Sequence, residues 1–475
     1  MNTKLLKQKI LDLAIRGKLT DQCKSDGTAR ELLERISVSR VLVRSAKSAK
    51  SKDLKQIIPL DKSEAPFEIP ANWEWVRLGD VGKWQSGTTP SKSNSAYYKD
   101  GTIPWLNTGD LNDGIINDIP KRVTEKALAE TSLRLNEAGS VCIAMYGATI
   151  GKLGILSMPA TTNQACCVCN NLKSFVNRMW LFFFLMNHKQ EFIEAGFGGA
   201  QPNISKEKIV STMFPLPPLA EQQRIVAKIE EAFAEIDAIE KNKELLKTHI
   251  KQTRQKILDL AIRGKLVPQN KSDEPASVLL ERITRDNPHY EKIEDEPFEI
   301  PENWAWCRLG NLSESIQYGY NAPAKDSGRI KMVRISDIHE NEVEWDSVPY
   351  CDIDDKEIQT YLLKKNDILF ARTGGTVGKS FIVSNLPEDA VYAGYLIRTR
   401  YGKNANAQYM KYFMESNLYW EQLRDGCIAT AQPNCNGKTL GKMQIPLPPL
   451  AEQSRIVAKI EELFSTLDKM ERNFI

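Results

Sequence analysis

The run GGTVGKS at residues 374–380 has the glycines and the lysine of a phosphate-cradling loop, so nucleotide chemistry is the first possibility to weigh. Such a loop needs its first glycine where this chain has Thr373. The matching turn around Gly151 and Lys152 has Tyr146 there, and Leu153 in place of the hydroxyl that would hold Mg²⁺. A hairpin turn with glycines at positive-φ positions fits both stretches better. Cys166 and Cys169 make a Cys-x-x-Cys, but no second pair and no histidine cluster accompanies them, so they are expected in a buried strand. NPHY at residues 287–290 lacks one proline of the Asn-Pro-Pro-Tyr loop with which amino-methyltransferases grip a base. No glycine-rich strand–turn–helix for a methyl donor is found, and GFGG at 196–199 precedes no suitable helix. His188, His249, His289 and His339 are scattered and suggest neither a triad nor a metal site. The expectation is a chain that is not itself an enzyme, with no catalytic, cofactor or metal-binding residues of its own.

The bulk properties are those of an ordinary globular protein. At 475 residues, with 41% hydrophobic and 26% charged, the chain has room for two or three domains. No apolar run approaches the roughly 20 residues of a membrane span, so no membrane association is expected. Nine cysteines without regular spacing point to reduced thiols and a cytoplasmic location. The net charge of +3 says little about nucleic acid, although residues 1–65 hold fifteen Lys/Arg against eight Asp/Glu.

What must position any functional side chain is an internal repeat. KQKILDLAIRGKL at 7–19 returns as RQKILDLAIRGKL at 254–266, shifted by 247. PFEIPANWEWVRLG at 66–79 returns as PFEIPENWAWCRLG at 297–310, and PLPPLAEQQRIVAKIEE at 215–231 returns as PLPPLAEQSRIVAKIEE at 446–462, both shifted by 231. In this register Ile475 corresponds to Glu244 and Met1 to Thr248, so the C-terminus followed by the N-terminus spells a second copy of the middle segment. The repeat is circular, and it predicts a pseudo-twofold molecule with its ends close together.

The middle segment reads as a long helix. From Leu219 to Arg263 there is no Pro or Gly, two prolines precede it, and Gly264 is a natural stop. Spacings of 4 and 3 align Ile225, Ile229, Ala232, Ile236, Ile239, Lys243, Leu246, Ile250, Thr253, Ile257 and Leu260. The second copy supplies Ile456, Ile460, Leu463, Leu467, Met470 and Phe474, then Leu6, Ile10 and Leu13. Pairing of the two stripes in an antiparallel coiled coil is the favoured reading. The alternative is two amphipathic helices, each lying on its own domain.

The expected fold class is α+β, with two similar domains separated by two long helices. Its parts are a helical segment at 1–36, a flexible basic linker at 37–65, domain one at 66–214, the central helix region at 215–283, a linker at 284–296, domain two at 297–445 and a C-terminal helix at 446–475.

Two variable domains alternating with two near-identical helical segments resemble the specificity subunit of type I restriction–modification systems. The likeness covers essentially the whole chain. Its marks are PLPPLAEQ.RIVAKIEE, KILDLAIRGKL and, in domain one, SGTTPS with IPWLNTGDL over 86–111. Domain two departs there, with IQYGYNAPA at 316–324 and IKMVRISDI at 330–338. The resemblance implies target-recognition domains that each read half of a bipartite, asymmetric double-stranded DNA sequence. It implies helices that set the spacing and dock two methylation subunits carrying S-adenosylmethionine, and separate motor and nuclease subunits that bring ATP and Mg²⁺. Base reading needs shape and hydrogen bonds, not acid, base or metal. A protein–protein adaptor, or the recognition subunit of a related system with fused restriction and methylation, are the alternatives.

Features shared by both domains are expected to be scaffold or phosphate contacts, and features that differ are candidate base readers. Shared are Lys152 and Lys379 in their turns, AQPN at 200–203 and 431–434 as rigid turns, and Trp73, Trp75, Trp304 and Trp306 as core anchors. The differing candidates are Gln85, Thr88, Thr89, Ser91, Lys92, Tyr146 and Asn163 in domain one. In domain two they are Gln317, Tyr318, Tyr320, Asn321, Lys325, Arg334, Arg372, Thr373 and Tyr392.

Overall fold

The apolar spacing of KQKILDLAIRGKL folds as helix α1 (Thr3–Ile15), whose N-cap Asn2 accepts the Leu5 N–H at 3.0 Å. The computed structural model describes residues 2–35, 60, 65–196, 203–285, 293–339, 341–427 and 435–474. The linker expected at 37–65 lies outside the described residues apart from 60 and 65. So do NPHY, most of GFGG, and both AQPN turns except Asn203.

The chain divides into two units, Met1–Lys241 and Asn242–Ile475. In the first, β1 (Glu74–Arg77) and β10 (Met213–Leu216) form an antiparallel ribbon that closes the domain. Between them lie β2 (Lys83–Ser86), β3 (Ile103–Leu106), β4 (Gly114–Ile116), β5 (Arg122–Val123), β6 (Val141–Ala144), β7 (Leu153–Leu156), β8 (Thr161–Thr162) and β9 (Cys166–Asn170). They build a five-stranded sheet ordered β2-β9-β6-β7-β4 and a three-stranded sheet ordered β5-β3-β8.

The second unit repeats this plan. Its strands are β11 (Ala305–Arg308), β12 (Ser315–Tyr318), β13 (Ile330–Val333), β14 (Ile338–His339), β15 (Glu342–Val343), β16 (Tyr350–Cys351), β17 (Ile368–Ala371), β18 (Ser380–Ile382), β19 (Ala390–Tyr392), β20 (Leu396–Arg400) and β21 (Gln444–Leu447). The ribbon is β11-β21 and the sheets run β12-β20-β17-β18 and β16-β13-β19. One strand differs. In the first unit β4 adds to the edge of β7, whereas in the second β15 pairs with β14 as a separate hairpin.

Helices complete each core. In the first unit α1 buries Leu11, Ala14 and Ile15 in one cluster with Trp73, Phe214, the apolar face of α2 (Arg178–Asn187), and Ile225 and Ile229 of α3 (Leu219–Ile262). In the second, the last turns of α3 supply Ile257, Ala261 and Ile262. They pack with Trp304, Trp306, α4 (Ala407–Phe413), and Ile456 and Ile460 of α5 (Leu450–Phe474).

The same side-chain joint recurs in both units. Trp73 Nε1 donates to Glu221 at 2.9 Å and Gln22 Nε2 to the same carboxylate at 2.6 Å. Trp304 Nε1 donates to Glu452 at 3.1 Å and Gln269 Nε2 at 2.7 Å. Arg224 pairs with Asp26 at 2.6 Å and Arg455 with Asp273 at 2.7 Å. The first unit therefore takes from the chain's N-terminal segment what the second takes from the segment that follows α3.

The apolar stripe of α3 buries Ile225, Ile229, Ile236, Ile250 and Ile257. Phe233 is its last residue packed on the first core and Ile257 the first on the second, while Ile239 between them is 41% exposed. At both ends the stripe lies on the core of its own unit. Polar flanks add to the apolar helix-to-helix contacts within each unit. Within the first unit Thr3 meets Glu240 and Lys7 meets Asp237, so α1 runs antiparallel to α3 there. Within the second, Arg254 pairs with Asp468 and lies 4.7 Å over the Phe464 ring.

Candidate nucleic-acid interface

The glycine-rich turns come first, because they place the side chains between them. Both connect antiparallel strands, β6 to β7 and β17 to β18, so GGTVGKS leads into a strand and not an α-helix, and is a hairpin connection. Gly147 and Gly151 have φ of 66° and 78°, and Gly374 and Gly378 have 72° and 91°, conformations that favour glycine. Tyr146 and Thr373 hold the same place, with φ/ψ of −130°/150° and −136°/156°. The carbonyls of Lys152 and Lys379 accept from Ala144 and Ala371, each at 2.9 Å. One backbone thus carries two sets of side chains. Tyr146 and Lys379 are exposed, and Lys379 lines a cavity of about 330 Å³ with Ser380, Lys411 and Glu415.

In the first unit, Gln85 is occupied internally. Its Nε2 donates to Asn136 at 2.9 Å and its Oε1 accepts from Arg134 at 3.1 Å, in a network that continues to Asn170 and Ser140. Thr88 shares a hydrogen bond with Ser132 at 2.9 Å, and Thr89 donates to Gln164. Asn163 Nδ2 reaches Asn107 at 3.4 Å, leaving its Oδ1 buried without a partner among the described residues. Thr88, Thr89 and Asn163 come together, since Gly87 and Thr88 hydrogen-bond to the strand ends on either side of Asn163. The Ser91 hydroxyl shares a hydrogen bond with its neighbour Ser93, and Lys92 is exposed.

In the second unit several candidates turn out to be structural. Gln317 stands on β12 where Gln85 stands on β2, opposite Arg398 as Gln85 is opposite Val168, so the two glutamines are one position and not a difference. Gln317 Oε1 accepts from the buried Arg398 at 2.7 Å. Tyr392 is fully buried and burial pushes its hydroxyl pKa up, which removes it from the surface. Arg334 grips the buried carboxylate of Asp337 through Nε and Nη2, at 3.1 and 2.7 Å. Lys325 is paired with Asp352, whose pKa it lowers. Tyr320 packs against Tyr361, ring centroids 5.2 Å apart, and Asn321 is exposed.

Three residues gather at the turn. The Arg372 guanidinium lies 4.7 Å over the Tyr318 ring, and the Arg372 N–H donates to the Tyr395 carbonyl at 3.2 Å. The Tyr395 side chain is 66% exposed. The sequence reading missed Tyr395, although a tyrosine beside a glycine between two strand-like runs was a usable signal.

Cys166 and Cys169 fall on opposite faces of β9, one in the cluster with Leu106 and the other in the cluster with Trp73. A spacing of three cannot bring two strand residues to one face. Burial pushes the Cys169 thiol up to about 12.

The family model for the type I restriction modification DNA specificity domain matches residues 70–248 and 301–474. This chain belongs to that family. The two matches begin within the two repeated PFEIP segments. The chain is 25% identical over 542 aligned positions to the type I restriction enzyme EcoAI specificity subunit of Escherichia coli, covering 98% of this chain and 90% of that protein. It is 24% identical to the MjaVIII specificity subunit of Methanocaldococcus jannaschii, covering 85% and 88%. Among solved structures, the HsdS subunit from Thermoanaerobacter tengcongensis aligns with a TM-score of 0.55 at 19% identity, covering 86% of this chain and 94% of that one. At that identity the likeness concerns the fold. No helix among the described residues is long and apolar enough to cross a membrane.

Proposed function

We infer that this chain is the DNA sequence-recognition subunit of a type I restriction–modification complex, and that each mixed domain reads one half of a bipartite, asymmetric target. The observation that carries the reading is a shared backbone with unshared side chains. Arg372 and Met145 stand at one position of the two turns, with the same backbone bonds, and Tyr318 and Ser86 at another. Divergent side chains on a largely preserved frame are what two readers of different base sequences require.

The remaining assignments follow from the repeat. α3, α1 and α5 act as an antiparallel helical spacer between the reading domains, and the molecule is pseudo-twofold because α1 completes the first unit as the end of α3 completes the second. Each unit docks one methylation subunit. Those partners carry S-adenosylmethionine and the methyl transfer, and motor and nuclease subunits bring ATP and Mg²⁺. This chain contributes recognition and no bond-making step.

The test is a domain exchange. Replacing residues 66–214 with the corresponding domain of another family member should change one half-site of the sequence that the assembled methyltransferase modifies and leave the other half intact. If both halves changed together, two independent readers would be the wrong description. The adaptor reading predicts no sequence-dependent DNA binding with or without a methylation subunit.

A further inference from the structure

Of the two arginines among the second domain's candidates, Arg334 is committed to Asp337 and Arg372 meets no carboxylate among the described residues. Arg372 is nevertheless firmly placed. Its N–H donates to the Tyr395 carbonyl at 3.2 Å and its own carbonyl accepts from Cys435 at 2.9 Å. Its guanidinium lies 4.7 Å over the Tyr318 ring, and the Tyr318 hydroxyl accepts the Gly437 N–H at 2.9 Å, which fixes the ring in turn. The Nε atom is buried with no hydrogen-bond partner among the described residues, while the side chain as a whole keeps part of its surface. A guanidinium presents five donors in a rigid fork. Here the plane is held by a stack, one donor is buried at a cost, and the exposed part belongs to the remainder of the side chain.

We propose that Arg372 reads a guanine in the half-site of the second domain, donating through its terminal nitrogens to O6 and N7, with Tyr318 as the positioning residue that holds the guanidinium plane. Bidentate pairing with those two acceptors is the interaction for which a planar fork is suited and a point charge is not. Neighbouring basic candidates are less suited, since Lys325 is paired with Asp352 and Lys379 lines the cavity beside Lys411 and Glu415. The first domain supplies an internal contrast. At the same backbone positions it has Met145, which is buried, and Ser86, so it has no equivalent reader there.

The inference rests on the chain being a recognition subunit, and the experiment separates the two. The full chain is assembled with its methylation subunits, and methyl transfer is measured on a library of duplexes varied at every position of the target. A wild-type complex that modifies no bipartite sequence overturns the recognition reading and this proposal with it. Given a defined target, Arg372→Ala and Arg372→Lys should each relax discrimination at one G·C pair of one half-site by on the order of 10- to 100-fold, leaving the other half-site unchanged. Tyr318→Ala should relax the same pair, and Tyr318→Phe, which keeps the ring, should restore most of the discrimination. Full discrimination in Arg372→Ala overturns the proposal. So does a uniform loss of binding over all sequences, which is the mark of a phosphate contact.

Discussion

Glu221 accepts from Trp73, Gln22 and Asn72 at 2.9, 2.6 and 3.2 Å. Burial raises its pKa, and those three donors only partly oppose the shift. A carboxylate whose pKa is higher folded than unfolded contributes stability that is fully present below the unfolded value and is lost as pH rises through the folded one. Glu221→Gln carries no charge to desolvate. Thermal melts of variant and wild type should therefore shift in the variant's favour as pH rises from about 4 to about 7. Glu221→Ala should instead cost about 1–3 kcal/mol at low pH, and less as pH rises, since the buried Trp73 N–H loses its acceptor. A Gln variant that tracked the wild type across that range would rule out the charged form as the source. The same scale shows why base readers are hard to find in a sequence. Gln85 and Gln317 are side chains that pair with adenine in other settings, yet here Asn136 and Arg398 occupy them.

At the scale of elements, the stop after each KILDLAIRGKL helix is a glycine with a defined neighbour. Gly17 has φ +65°, and a Cβ there would come within 2.3 Å of Pro70 Cγ; Gly264 has φ +66° and the same contact with Pro301 at 2.4 Å. Both positions combine strain with a clash against PFEIP, so the turn and the ribbon that follows depend on each other. Gly17→Ala and Gly264→Ala should each destabilise by about 1–3 kcal/mol, read as a fall in Tm of several degrees. Comparable losses at the two sites would reflect their shared geometry. A neutral effect at either would mean that the backbone there yields more easily than the contacts suggest. The fifth strand of the first sheet belongs to this scale too. Residues 111–116 and 338–343 occupy corresponding places, but GII pairs with β7 and the second segment folds back on itself around Asn341, φ 67°. No pattern in either segment announces which partner it will choose, because both are short and pairing is settled by the neighbouring edge.

For the whole molecule, a helical spacer makes a length prediction. Four residues inserted after Lys243, with four matching residues after Phe474, lengthen each helix by about 6 Å. With duplex DNA rising ~3.4 Å per base pair, the lengthened protein should prefer a gap between half-sites longer by one or two base pairs. Sequencing the methylated sites of cells carrying the lengthened chain reads this directly. An unchanged gap in a folded, active protein would remove the helices as the ruler.

The sequence by itself determined the repeat, its circular register, the long helix from Leu219, the core tryptophans and the family, because each is written in residue identity and local spacing. Only the tertiary structure decided which polar side chains are free. Arg398 reaches Gln317 across 81 residues, and Asp337 takes Arg334 because a short turn folds back on its own cap. It also buried Tyr392 and exposed Tyr395, three residues apart at the junction of β19 and β20. Availability for binding is a property of what surrounds a group after folding, and those surroundings come from parts of the chain that no local window contains.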